Sequence, residues 1–353
     1  MNDQKPSLTE DEILEKRQNR IFFSLIGFGC AASVAVSTLL EYATARFNPA
    51  YNPNDLGVWF LLSVGYYLVA LLIGYAVMRS AVSPAVRVFT DAPLRPVPTF
   101  LVSLTACGFF IWIASFIGGI FSSGAAQEQA SASIESFGDA AVFFLASVVI
   151  IPAAEELFWR RAVCGALSDR GGVAAVIISS VTFALSRNDF RNMLSSLAIG
   201  LVFGAAYLLT GKFSVPLILH AVVNFLWVFM PALIGSLEPS PELLEELTAA
   251  VSTAIQSGEY NFEALRTIAT DIPYVMPYLL SSGMISALFD GLALAGPVIL
   301  FLVRGKIRLP EGGRRISRRE IGDVVFLSPG IILYVTLGLF LILLSAFGVS
   351  LAL

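Results

Sequence analysis

The chain has 353 residues, of which 56% are hydrophobic and only 14% are charged, and its mean hydropathy is +0.79. Because soluble proteins carry roughly a quarter charged residues, this composition excludes a soluble globular domain. Several uninterrupted apolar segments of about 18 residues or more instead predict an all-α, polytopic helical membrane bundle. The formal net charge is −4, and no basic stripe suggests a nucleic-acid partner.

Cysteine and histidine are scarce in this chain. Cys30, Cys107 and Cys164 lie within or at the ends of apolar segments without CxxC spacing, so we interpret them as small core residues. His220 is the only histidine, which excludes a site that needs two imidazoles. A single histidine beside paired glutamates makes a poor zinc site. The sequence therefore predicts neither a metal nor a cofactor.

The predicted elements begin with a polar tail at residues 1–20, which we expect to be retained on the cytoplasmic side. About nine transmembrane helices follow, and they fall into an N-terminal group at 21–137, a core at 138–234 and a C-terminal group at 273–353. The predicted spans are 21–42, 58–78, 99–121, 138–167, 173–185, 192–209, 213–234, 273–303 and 324–353.

The distribution of basic residues predicts the orientation of these spans. With the N-terminus inside and the spans alternating, 18 of the 22 Lys and Arg residues fall in cytoplasmic segments. This bias follows the positive-inside rule, so we expect an N-in, C-out protein of the lipid bilayer. Nine spans with short loops fit a bacterial inner (plasma) membrane, which is the expected location.

The largest predicted extramembrane piece is the acidic segment 235–272 on the outer side. It contains an amphipathic pattern that starts near Pro241, a residue suited to a first helical turn. We interpret it as a helix lying on the bundle, with a partner-binding lid as the alternative. In the next span, Asp290 is an intramembrane acid without an identifiable partner; it is either a structural hydrogen-bonding group or a second polar site.

The fourth span contains ionisable residues where apolar ones are expected, and such groups normally face a bundle interior, pair with one another or mark a functional site. Glu156 and Arg160 are spaced i,i+4 and can pair on one helical face. Glu155 projects about 100° away from Glu156, so it needs a partner from elsewhere in the chain.

The seventh span contains His220 and Asn224, also spaced i,i+4 and therefore on one face. One interpretation is a polar pair that joins helices together. The other is a pair of hydrogen-bond donors for an oxyanion, working with a glutamate that takes a proton from water.

Two motifs in this order resemble a known family. EELFWR fits E-E-x-x-x-R, and PLILHAVVN fits H-x-x-x-N, over about 138–228. Together they resemble the CAAX prenyl protease and bacteriocin-processing (CPBP, or Abi) family of intramembrane peptidases. The resemblance implies a cavity open to the cytoplasmic side and metal-free hydrolysis of a peptide or protein substrate. Residue by residue, it implies Glu155 as the base, Glu156 and Arg160 as its support, and His220 and Asn224 as oxyanion stabilisers.

The second motif of that family, F-x-x-x-H, is altered here. Phe183 is followed four residues later by Arg187, and a guanidinium cannot act as a general base. If Arg187 reaches Glu155, it is the missing partner, and it favours the charged, less basic form of that carboxylate. Alternatively, Arg187 turns towards lipid headgroups or water, and Glu155 acts with His220 alone.

Two functional hypotheses follow. The first is a CPBP-type membrane endopeptidase that uses a glutamate-activated water. The second is a non-catalytic relative that acts as a scaffold or regulator of a membrane protein partner. A transporter is disfavoured, because one compact polar cluster accounts for the intramembrane charges without a pathway across the bilayer.

Overall fold

A computed structural model describes residues 9–47, 60, 64–121, 134, 136–187, 190–256, 262–314, 316 and 322–346. Within these ranges the regular secondary structure is helical, with no β-strand, which confirms the predicted all-α class. Parts of the predicted tail and of two predicted spans lie outside the described residues. They are residues 1–8 of the tail, residues 58–59 and 61–63 of the second span, and residues 347–353 of the last span.

The described chain contains ten helices, most of them apolar. Seven are long and apolar enough to cross a bilayer, and α5 and α10 are shorter apolar helices, so a polytopic membrane bundle is confirmed. The exact number of spans and their orientation stay predictions. The helices are α1 (Glu10–Phe47), α2 (Gly65–Val82), α3 (Pro96–Phe121), α4 (Phe137–Arg170), α5 (Gly172–Leu185), α6 (Phe190–Thr210), α7 (Ser214–Gly235), α8 (Pro241–Gln256), α9 (Phe262–Val303) and α10 (Pro329–Ala346).

The C-terminal third departs from the predicted boundaries at two places. Helix α8 starts at Pro241 as predicted, but α9 starts at Phe262, ahead of the predicted Pro273. Good helix formers precede Pro273, and membrane helices tolerate internal prolines. The last predicted span is divided into a π-helical turn, Gly322–Phe326, and α10. The break precedes Pro329, because a proline disfavours helical conformation in the residue before it.

Helix α4 lies at the centre of the bundle and contacts α2, α5, α6 and α7. It is irregular: the segments Leu145–Ile150 and Glu156–Cys164 are π-helical, with α-helical residues between them. Its buried side chains include Phe158, Trp159 and Arg160. π-Helical turns are rare in proteins, and those that occur are often found at functional sites. This part of α4 is therefore a candidate for the functional site.

Glycines allow the close helix crossings that hold this centre together. A Cβ atom added to Gly29 of α1 would lie 2.6 Å from the carbonyl oxygen of Gly74 in α2, and the reverse substitution would meet Gly29 at the same distance. On its other side, α1 crosses α10 where Gly27 meets Gly330. Small residues at such crossings let membrane helices approach closely.

Replacing Gly29 with alanine is expected to lower the free energy of unfolding by about 1–3 kcal/mol, because the new methyl group overpacks the α1–α2 contact. The control is Gly65→Ala in α2, where an added Cβ meets nothing within 4 Å. Thermal unfolding in detergent compares the two variants. Equal midpoints would contradict the close crossing.

Candidate functional site

Glu155 is the centre of a buried polar cluster, and its carboxylate makes four contacts with three residues. Arg187 Nη2 lies 2.8 Å from Oε1 and 3.1 Å from Oε2 of Glu155. The Tyr67 hydroxyl donates a hydrogen bond of 2.6 Å to Oε1. His220 Nε2 lies 3.5 Å from Oε2. A carboxylate has about four lone-pair directions, and Arg187 and Tyr67 donate three hydrogen bonds to this one.

Glu156 belongs to the same cluster and has partners of its own. Its Oε1 lies 2.9 Å from His220 Nδ1, and its Oε2 lies 3.4 Å from Arg160 Nε. Glu156 and Arg160 are both 0% exposed. The Arg160 guanidinium makes no hydrogen bond within the described chain and lies over the rings of Phe183 and Phe203, at 4.8 and 5.6 Å from their centroids. It is therefore stabilised by the carboxylate charge and by cation–π contacts.

His220 thus bridges the two glutamates. With both glutamates ionised and both Arg160 and Arg187 protonated, the cluster is balanced in charge when the imidazole is neutral. A neutral imidazole that donates from Nδ1 to Glu156 presents the lone pair of Nε2 to Glu155. Since both ring nitrogens are directed at carboxylates, the described arrangement leaves neither of them aimed at a separate oxyanion.

Asn224 contacts the backbone of α4. Its Nδ2 donates to the Ser147 carbonyl oxygen at 2.8 Å. The reason lies in the π-helical turn there: Ile151 N–H donates to Ala146, and Pro152 has no N–H to offer. The Ser147 carbonyl therefore lacks a donor four or five residues ahead, and the Asn224 amide supplies one. This contact joins α7 to α4 beside the glutamates.

Arg187 is positioned by the turn between α5 and α6. Its Nε donates to the hydroxyl of Ser196 in α6 at 3.1 Å, and its guanidinium lies 4.8 Å from the Phe183 ring centroid. Of the two arrangements that the sequence left open, the structure has the one in which Arg187 reaches Glu155. Residues 188–189, part of the predicted polar turn, lie outside the described residues.

Tyr67 is the cluster member that sequence reasoning missed. It lies in an apolar span among ten tyrosines, and nothing in the spacing connects it with Glu155. It also lines a small cavity between α1, α2 and α4. The cavity volume is about 20 Å³, room for about one or two waters and too small for a peptide. Its polar lining comprises Ser33, Ser37, Thr38, Tyr67, Trp159 and Ser186.

The structure brings together all six residues singled out for this site: Glu155, Glu156, Arg160, Arg187 and His220 in one cluster, with Asn224 one helical turn from His220. Among the described residues, no group of three or more His, Cys, Asp or Glu side chains is placed to hold a metal ion. The absence of a metal or cofactor stays a prediction.

Comparisons with known proteins show what the stretch that contains most of this cluster is similar to. A family model described as "Type II CAAX prenyl endopeptidase Rce1-like" matches residues 137–226, the stretch that carries both motifs. No solved structure matches the chain significantly.

Two curated relatives point the same way. The chain is 24% identical to "Putative membrane peptidase YdiL" of Bacillus subtilis over 231 residues. This aligned stretch covers 64% of this chain and 91% of the relative. It is 31% identical over 114 residues to "Membrane-embedded CAAX protease MroQ" of Staphylococcus aureus, which covers 30% of this chain and 43% of the relative. Residues 137–226 therefore match the core of the CPBP family, the CAAX protease-like membrane peptidases.

Proposed function

We propose that this chain is a non-catalytic CPBP relative of the bacterial plasma membrane, acting as a scaffold or regulator of a membrane protein partner. The observation that carries the proposal is the ion pair between Arg187 and Glu155, at 2.8 Å. Arg187 stands at the position where the family motif has a histidine. The substitution therefore removes the expected catalytic imidazole, and the arginine that replaces it pairs with the expected base, Glu155.

The chemistry of a general base explains why this pairing opposes hydrolysis. A base must contact the water whose proton it takes, and it must gain stability when it accepts that proton. Glu155 is surrounded by Arg187, Tyr67 and His220. Protonating its carboxylate would break a charge-assisted contact with a guanidinium, which remains charged at any workable pH.

The remaining family residues are also engaged in contacts within the protein. Asn224 donates to the Ser147 carbonyl, and His220 lies between the two glutamates. These contacts favour a structural role for the HxxxN motif, in which it joins α7 to α4. They support the non-catalytic proposal independently of Arg187.

The second candidate is a membrane endopeptidase acting on a peptide or protein substrate, and it is favoured by the Glu156–His220 pair. Because Glu156 contacts Nδ1 at 2.9 Å, Nε2 of a neutral imidazole keeps a free lone pair. If Arg187 turned away, a water between Nε2 and Glu155 could be activated. The name of the relative MroQ, a CAAX protease, agrees with this candidate.

The test compares wild type with Glu155→Gln in vesicles. The probes are two fluorescence-quenched peptides ending in a CAAX sequence, one prenylated and one not. We expect both chains to cleave the peptides no faster than empty vesicles do. Because Glu155 is paired with Arg187 and does not act as a base, replacing it with glutamine should not change the cleavage rate. MroQ in the same vesicles serves as the assay control. Cleavage by wild type that Glu155→Gln abolishes would overturn the proposal in favour of the endopeptidase.

A further inference from the structure

Asp290 is an ionisable residue in α9 that the cluster around Glu155 does not use. It is the only charged residue between Asp271 and Arg304, and Arg304 lies 14 positions further along the chain. That distance is about 21 Å of helix, which places Asp290 inside a hydrocarbon layer of about 30 Å. An unpaired carboxylate at such depth is costly, and intramembrane acids normally find a partner.

Within the described chain, Asp290 has no partner. Its side chain is exposed on the outside of the bundle, and it forms no hydrogen bond or ion pair with the described residues. The opposite face of α9 makes the contacts with the bundle. Phe289 stacks on Trp227 of α7 at 4.7 Å, and Leu292 packs where Gly108 of α3 leaves room. Asp290 therefore points away from the described helices that α9 packs against.

The face around Asp290 has the shape that a second membrane helix requires. Gly283, Ala287 and Gly291 are spaced four residues apart, and all three are exposed. A Cβ atom added to Gly283 or Gly291 would meet nothing within 4 Å. Such a small-xxx-small row lets another backbone approach closely. Leu294, 75% exposed, continues the same face one turn further.

We propose that this face, formed by Gly283, Ala287, Asp290, Gly291 and Leu294, binds a transmembrane helix of another protein that carries a lysine or arginine at the depth of Asp290. The unpaired charge selects the partner, because a cation is the group that most stabilises a carboxylate in lipid. The small residues let the two helices come close enough for that contact.

A second copy of this chain fits the face less well. A two-fold dimer through α9 would place the two Asp290 side chains near each other, and like charges repel. The inference rests on the proposed non-catalytic function for its biological role, since it names the class of partner. The helix contact itself does not depend on hydrolysis.

The test uses synthetic transmembrane peptides with a polyleucine core and a single central lysine, leucine or glutamate. Dye-labelled full-length chain is reconstituted in vesicles of phosphatidylcholine and phosphatidylglycerol, and energy transfer to labelled peptide measures binding. We expect the lysine peptide to bind wild type about tenfold more tightly than the leucine peptide, the size expected for one polar interhelical contact. Asp290→Leu should abolish this preference, and Asp290→Lys should transfer it to the glutamate peptide.

The matched control is Asp91→Leu, the same change at an exposed loop residue outside the spans. It should leave the preference for the lysine peptide intact. Equal binding of the lysine and leucine peptides to wild type, or an unchanged preference in Asp290→Leu, would overturn the proposal. Energy transfer between two labelled copies that requires Asp290 would replace the heterologous partner with self-association. None of these readouts involves peptide cleavage, so they remain distinct from the test of the proposed function.

Discussion

Replacing Arg187 with histidine is expected to give this chain a peptidase activity that depends on Glu155. The substitution removes the guanidinium that contacts both oxygens of Glu155, at 2.8 and 3.1 Å. It also restores the F-x-x-x-H pattern counted from Phe183. A freed carboxylate and a second imidazole could then share a water, and general-base catalysis typically contributes about 10²–10⁴-fold in rate. We therefore expect hydrolysis of the prenylated CAAX peptide at least about 100-fold above the wild-type level.

Two variants separate this effect from a mere loosening of the site. Arg187→His combined with Glu155→Gln should return the rate to baseline, because the proposed base is gone. Arg187→Gln frees Glu155 but supplies no imidazole, so its rate should stay far below that of Arg187→His. Equal rates in Arg187→Gln and Arg187→His would show that the imidazole contributes nothing.

Losing the buried cation of Arg160 is expected to be the most destabilising single change at the site. The Arg160→Gln variant leaves the Glu156 carboxylate, 0% exposed, without its charge partner. Removing one partner of a buried ion pair costs about 3–5 kcal/mol, since the remaining charge is uncompensated. The cation–π contacts with Phe183 and Phe203 are lost as well. We expect a large fall in the thermal unfolding midpoint in detergent.

The neighbouring arginine provides a matched control. Arg161 is exposed, and its guanidinium lies 5.9 Å from the Phe213 ring centroid. An exposed contact of this kind contributes only about 0.5–1 kcal/mol, so Arg161→Gln should unfold close to wild type. A double change, Glu156→Leu with Arg160→Met, should destabilise less than Arg160→Gln, because it leaves no unpaired buried charge. Similar losses in Arg160→Gln and Arg161→Gln would argue against a buried pair.

The sequence by itself determined the class of this protein and the identity of its polar residues. The apolar segments are long enough to cross the hydrocarbon layer of a bilayer as helices. A helix fits there because each backbone N–H and C=O group forms its hydrogen bond within its own segment. The i,i+4 spacing brings Glu156 and Arg160 onto one face, and the structure has them paired at 3.4 Å. The order of the EExxxR and HxxxN motifs indicated the family before any contact was known.

Which side chains of different helices meet could be seen only in the tertiary structure. In a soluble helix the apolar face marks the core, but a membrane helix is apolar all round, so hydropathy does not specify its rotation. This is why no pattern connected Tyr67 with Glu155, or Asn224 with the Ser147 carbonyl. For the same reason the sequence did not determine whether Arg187 reaches Glu155. It also did not predict that Asp290 lies on the outside of the bundle. Sequence provided the charges, and the packing of α4, α5, α7 and α9 decided which of them meet.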